Sequence, residues 1–529
     1  MREVSPVELK RLLLGRPELA LIDVREQGAF AEAHLLFAVC VPLSSMELAI
    51  GDLVPRNHTP IVVVAESADD DLGRRSLERL GKLGYTDVRV LAGGVAGWQA
   101  RGFEVFSGVN VPSKAFGEFV EETYGTPRVT AREVKRMLDG SRDVVVVDSR
   151  PYDEYHRMNI PSSTDIPGAE IALRIHDVAP DPGTFVVVNC AGRTRSIIGT
   201  QSLINAGIEN RVVALKDGTM GWHLAGFELE HAATRVASLP GDTGMAKALA
   251  AAERVAARFG VPTVQRATVE MWQQAAGRTT YLLDVRSPDE YVAGHLSGFR
   301  NAPGGQLVQA TDEYVAVRNA RLVLADDEGV RARMTASWLI QMGWEDVFVL
   351  EGGVGSGSFV AGAWQPTLRG TLADATVTTD ELAACLDAVT VIDLGPSPTY
   401  EQRHVPGALW CVRARLGMAL ADIPADRPVV LTSPDGTLAR LALDEARLIG
   451  ARELGHEVQA LEGGTERWLA EGRAAETGLA NAIGATDDVW YKPYEHRGAQ
   501  ERFMRDYLTW EVALPEQIAR DGTARFRRY

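Results

Sequence analysis

The sequence predicts an α/β protein assembled from four tandem copies of one βα-rich domain. Three observations carry this. At 529 residues the chain exceeds what one core organises, and about 150 residues per domain suggests three or four domains. Short apolar runs of strand length, bounded by turn residues, alternate with amphipathic helical spacing. Two independent landmarks, an Asp that ends an early strand and a Gly in a late turn, keep step along the chain. From Asp23 to Asp148 to Asp284 to Asp393 the intervals are 125, 136 and 109 residues, and from Gly94 to Gly218 to Gly353 to Gly464 they are 124, 135 and 111. Matched intervals of this kind are the signature of internal repeats.

Each copy opens on a helix entry. Ser5…Glu8, Thr130…Glu133 and Thr378…Glu381 have the spacing of a capping box, whereas the third copy keeps Glu270 but has Ala267 at the cap position, so its cap is weaker. Strands ending in Asp23, Asp148, Asp284 and Asp393 follow. The first three continue as Asp-x-Arg through Arg25, Arg150 and Arg286, and the fourth has Gly395 there. A turn at His34, Asn159, His295 or His404 leads to a second apolar strand, a loop and a helix. A last strand then enters a Gly turn, closed by Trp98, Trp222 and Trp468 in three of the four copies. The domains are read as 1–106, 126–230, 261–368 and 374–476, with a tail at 477–529. The linker at Ser107–Thr126 contains a helical piece around Phe116, and an Ala-rich helix runs from Met245 to Phe259. The third linker is short enough to predict close packing of repeats three and four. The tail, rich in Trp and Tyr from Trp490 to Trp510, reads as a strap over a neighbouring domain or a subunit contact, because aromatic residues at this density favour burial.

Composition excludes several function classes. A net charge of −16 and a pI near 5.2 leave no global basic footprint for nucleic acid or an anionic membrane. No stretch approaches 18 uninterrupted apolar residues, so no membrane span is expected. The four cysteines, Cys40, Cys190, Cys385 and Cys411, form neither a C-x-x-C pair nor a Cys/His cluster, so neither a disulfide framework nor a metal site is expected, and no cofactor is called for. The N-terminal residues lack a secretory apolar core, which points to the cytoplasm and a reduced thiol.

The chemistry concentrates in Val186-Val187-Val188-Asn189-Cys190-Ala191-Gly192-Arg193-Thr194-Arg195-Ser196. A valine run predicts a buried strand and the spacing after Ser196 predicts a helix, which puts Cys190 at the positive end of a helix dipole with two arginines nearby. Such surroundings favour thiolate, and the loop amides suit an anion. A buried structural cysteine is the commoner fate of a lone Cys, but Gly192 and the arginine pair argue against it.

Asp-x-Arg after a first strand, Glu-Tyr before a Gly-His-type turn, a strand ending in Cys and a late Gly-Gly…Gly-Trp turn together resemble the rhodanese sulfurtransferases, four times over. The resemblance implies a central parallel sheet with helices on both faces. It also implies a loop Cys that accepts sulfane sulfur as a persulfide and passes it to a thiophilic acceptor, cyanide or a thiol. Position for position, Cys190 is matched to Glu66, Asp326 and Ser433 in the other repeats, which predicts one active domain and three inert ones. Related Cys-dependent phosphatases place five residues between Cys and the closing Arg; four separate Cys190 from Arg195, which favours sulfur over phosphate. In this reading Cys190 attacks an anionic donor, thiosulfate foremost. Arg193 and Arg195 hold the donor's charge, and the loop segment Ala191, Gly192, Thr194 and Ser196 lines the bound sulfur. Asp148 and Arg150 brace the loop, and Lys216 adds charge at the mouth. A carrier that holds a persulfide for a partner protein requires the same loop and is the second hypothesis.

Overall fold

The computed structural model describes all residues except Met1, Asp422, Ala425, Asp426, Leu454, Gly455, His456 and Arg497; of 450–453 only the backbone is described. The chain forms two compact units: one of Met1–Pro6, Leu21–Gly108 and Pro366–Trp490, the other of Val7–Ala20, Val109–Gln365 and Tyr491–Tyr529.

The second unit holds the second and third repeats. In the second repeat the strands lie in the order Arg128–Val129, Val212–Leu215, Phe185–Asn189, Val144–Asp148, Thr164–Asp165, all parallel. The central strand Phe185–Asn189 is buried along its whole length, which is why it reads as a continuous valine run rather than an alternating one. Thr130 caps the first helix through a complete capping box with Glu133, while the third repeat's cap falls on Gln265, two residues before the expected Ala267, and gives no side-chain cap. Arg331, fully buried on the third repeat's long helix, bonds Glu170 of the second repeat at 2.9 Å and Glu290 of its own at 2.8 Å. Ala248, Ala252, Val255 and Phe259 of the linker helix Asp242–Phe259 pack on Leu173, Val330 and Met334 from both repeats.

The first unit holds the first and fourth repeats, joined by Glu47 against Arg79 and Arg413 and by Glu445 against Arg75, Arg79 and Arg413. The short third linker predicted packing of repeats three and four; instead each lies in a different unit, the third with the second and the fourth with the first. The fourth repeat keeps the strand order of the second and the Thr378–Glu381 capping box. The Trp indole that closes three copies has one job: Trp98, Trp222 and Trp468 each donate to a carbonyl six residues on, at 2.7–2.9 Å.

Asp165 lies opposite Asp148 on the edge strand, fully buried, with Oδ1 unpartnered among the described residues. Burial, with the Asp148 charge adding to it, raises its carboxyl to about 8. The folded state therefore holds this proton more tightly than the unfolded chain. The stability it contributes is full below the usual carboxylate range and is lost as pH climbs through 8. Asp165→Asn is expected to raise the melting temperature relative to the parent at pH 8.5 and to leave it nearly unchanged at pH 4. A gain independent of pH would contradict this account.

Candidate active site

Cys190 ends the strand Phe185–Asn189, and the loop after it turns into the helix Thr194–Ala206. The turn is pinned from both sides. Asn189 Nδ2 donates to Asp148 Oδ2 at 2.7 Å and to Thr219 Oγ1 at 3.0 Å. Thr219 in turn donates from its N–H (2.8 Å) and its hydroxyl (3.0 Å) to the Cys190 carbonyl. The neighbouring Gly218 has φ 56°, and a Cβ there would stand 2.4 Å from the Cys190 carbonyl oxygen. Only glycine allows this approach.

The same contact recurs at Gly94, Gly353 and Gly464 against the carbonyls of Ala65, Asp326 and Ser433. The strand register agrees, since Ile61 pairs with Val88 as Val186 pairs with Val212. The residue equivalent to Cys190 in the first repeat is therefore Ala65, not Glu66, which stands one place later, opposite Ala191. The sequence match slipped because Ala65 reads as the last residue of the apolar run.

The thiol is buried, 1% exposed, and donates to Ser196 Oγ at 3.5 Å, while the Ser196 hydroxyl donates to the Arg193 carbonyl at 2.8 Å. The two arginines are placed differently from expectation. Arg193 turns away into a cage of carboxylates: bidentate to Glu118 at 2.7 Å, with Glu121 at 2.6 Å and Asp217 at 3.2 Å. Its guanidinium is committed to structure, so the role of holding a donor's charge is withdrawn from it. Arg195 stays beside the thiol, close enough for their charges to interact, and pairs with Glu154 at 2.9 Å; Lys492 shares that carboxylate at 3.1 Å. Burial works against the Glu154 anion, but Arg195 overrides it and holds the carboxyl below its usual range. Lys216 is exposed, and its neighbour Asp217 makes the contact to the loop through Arg193. Arg150 is fully buried and bonds Asp148 through Nε and Nη2, both at 2.8 Å, and the Met158 carbonyl at 2.6 Å.

Several residues outside the repeats also reach the loop. Lys114, on the linker helix Val111–Tyr124, is buried near the thiol, and desolvation depresses its pKa. The tail, expected to strap a neighbouring domain or another subunit, supplies the helix Gln500–Asp521, which packs on that linker helix and over the second repeat's own loop. Met504 and Tyr494 form an apolar cluster with Ala191, Met158 and Met220. Glu511 accepts from Thr194 Oγ1 at 3.2 Å and Tyr507 Oη at 3.1 Å, and burial raises its carboxyl. The aromatic density of the tail was the one sequence signal for these residues; nothing marked Lys114, Glu118 or Glu511.

A strand–Cys–loop–helix junction of this build, set in a sheet of this order and repeated with its thiol removed, defines a sulfurtransferase-type fold. The rhodanese-like domain model matches residues 5–101, 130–225, 268–356 and 378–471, and the chain belongs to the rhodanese-like family. A solved thiosulfate sulfurtransferase from Pseudomonas aeruginosa is 46% identical, with a TM-score of 0.94 over 100% of this chain and 99% of that one. The thiosulfate sulfurtransferase GlpE of Pseudomonas paraeruginosa is 31% identical over 93 residues, 17% of this chain and 81% of its own length. An HTH-type transcriptional regulator from Mycobacterium tuberculosis is 30% identical over 211 residues, 39% of this chain and 87% of its own. Among the described residues no helix is long and apolar enough to cross a membrane.

Proposed function

We propose that this protein is a thiosulfate sulfurtransferase whose chemistry runs entirely through Cys190. The observation that carries the reading is internal: four equivalent strand ends hold Ala65, Cys190, Asp326 and Ser433, and only a thiol forms a persulfide. The full-length likeness to a solved thiosulfate sulfurtransferase supports the donor. In the first half-reaction the Cys190 thiolate attacks the outer sulfur of thiosulfate. A Cys–sulfur bond forms, the donor's sulfur–sulfur bond breaks, and its electron pair leaves on sulfite. In the second, cyanide or a thiolate takes the outer sulfur and the electron pair returns to the Cys190 sulfur. No external oxidant is needed. Arg195 and Lys114 both lie within electrostatic reach of the thiol. The Ala65, Asp326 and Ser433 repeats serve as structure. A reducing cytoplasm, where Cys190 stays a thiol, is the compartment this chemistry suits.

Two half-reactions on one residue require ping-pong kinetics. Initial rates with thiosulfate varied at several fixed cyanide concentrations are expected to give parallel double-reciprocal lines. Intersecting lines would require both substrates bound together and would reject the persulfide route.

A further inference from the structure

Arg150 has an unmet bond. Its side chain is fully buried; Nε and Nη2 are held by Asp148 and the Met158 carbonyl, but Nη1 has no partner among the described residues. An unpaired buried donor is destabilising, and more so when it carries charge. The other repeats show what usually fills the position. Arg25 Nη1 donates to Glu66 at 2.5 Å, and Arg286 Nη1 donates to Asp327 at 3.1 Å. Glu66 and Asp327 stand one residue beyond Ala65 and Asp326, the positions equivalent to Cys190, so their counterpart is Ala191. The repeat with the thiol therefore lacks the internal carboxylate that satisfies this arginine in two repeats without one. The fourth repeat has dropped both members, with Gly395 for the arginine and Pro434 after Ser433.

We propose that Arg150 Nη1 binds a sulfonate oxygen of the donor and makes the site selective for donors that carry an oxyanion. The inference rests on the sulfurtransferase reading above and assigns its specificity. The Glu66 and Asp327 carboxylates mark where the donor's oxyanion sits, directly beside the first loop residue after the nucleophile. Arg150 is anchored at three points and cannot swing, so its free N–H is already aimed before the donor arrives, as electrostatic stabilisation of a leaving group requires. When the donor's sulfur–sulfur bond breaks, negative charge collects on the sulfite oxygens, and the charge-assisted bond from Nη1 strengthens. Arg193 is held by Glu118, Glu121 and Asp217 and Arg195 by Glu154; of the three arginines, Arg150 is the one with a buried nitrogen that has no partner among the described residues.

The test restores the carboxylate. Ala191→Asp and Ala191→Glu copy the third and first repeats, and each should raise KM for thiosulfate by roughly tenfold or more, the value of a charged hydrogen bond. Sulfate, an oxyanion with no sulfur to give, should slow alkylation of Cys190 by iodoacetamide in the parent and not in either variant. An unchanged KM, or equal protection by sulfate in parent and variants, overturns the assignment. If neither variant keeps its melting transition, the parent decides alone: failure of sulfate to slow alkylation of its Cys190 overturns the assignment. If sulfate protects the parent alone but thiosulfate loads no sulfur onto it, the oxyanion site stands and the sulfurtransferase reading falls.

Discussion

Arg193→Ala is expected to destabilise the second unit by about 3 kcal/mol or more, rather than simply weaken donor binding. The guanidinium is 5% exposed and neutralises Glu118, which is as deeply buried, together with Glu121 and Asp217. Without it two carboxylates face each other from one side of the linker helix Val111–Tyr124. Even with Arg193 present, burial keeps the Glu118 carboxyl above its usual range. The variant should therefore be least stable at alkaline pH and recover in part as the pH falls and Glu118 takes a proton. Thermal unfolding should show a fall of at least about 5 °C at pH 8, and adding Glu118→Gln should restore part of it. A variant with an unchanged melting temperature and a raised KM would return Arg193 to the donor site.

Cys190→Ala is expected to lower thiosulfate–cyanide turnover at least ~10³-fold with little change in stability, since the covalent route is lost with its nucleophile. No other cysteine can substitute. Cys411 is buried, and that burial pushes its thiol up to about 12. Cys385 donates to the Glu381 carbonyl within its own helix, and Cys40 sits on a short strand rather than a loop. Residual turnover near the parent rate would mean that the chemistry lies elsewhere in the chain.

The repeats and the strand–Cys–helix junction were legible because they are local: valine runs, capping pairs and Gly turns are written within a few residues of each other. Register was less so. Ala65 extends an apolar run without a break, and it takes the close approach of Gly94 to its carbonyl, together with the strand register, to settle which residue is equivalent to Cys190. The partners of the loop arginines were not legible at all. Arg193 meets Glu118 from a linker 75 residues away, and Thr194 meets Glu511 across 317. No periodicity links such positions, so two arginines beside a thiol read as a free cationic pair when one is already neutralised. The unfilled bond at Arg150 was equally hidden. The Asp-x-Arg pattern is the same in three repeats, and the difference lies in the residue that faces it.

Sulfur is expected to pass through Cys190 alone. Intact-mass analysis after exposure to thiosulfate and removal of excess reagent measures this directly. The native protein should gain the mass of one sulfur atom, carried on the peptide containing Cys190 and lost on addition of cyanide, and Cys190→Ala should gain none. No gain in the native protein, or an equal gain in the variant, would contradict the account.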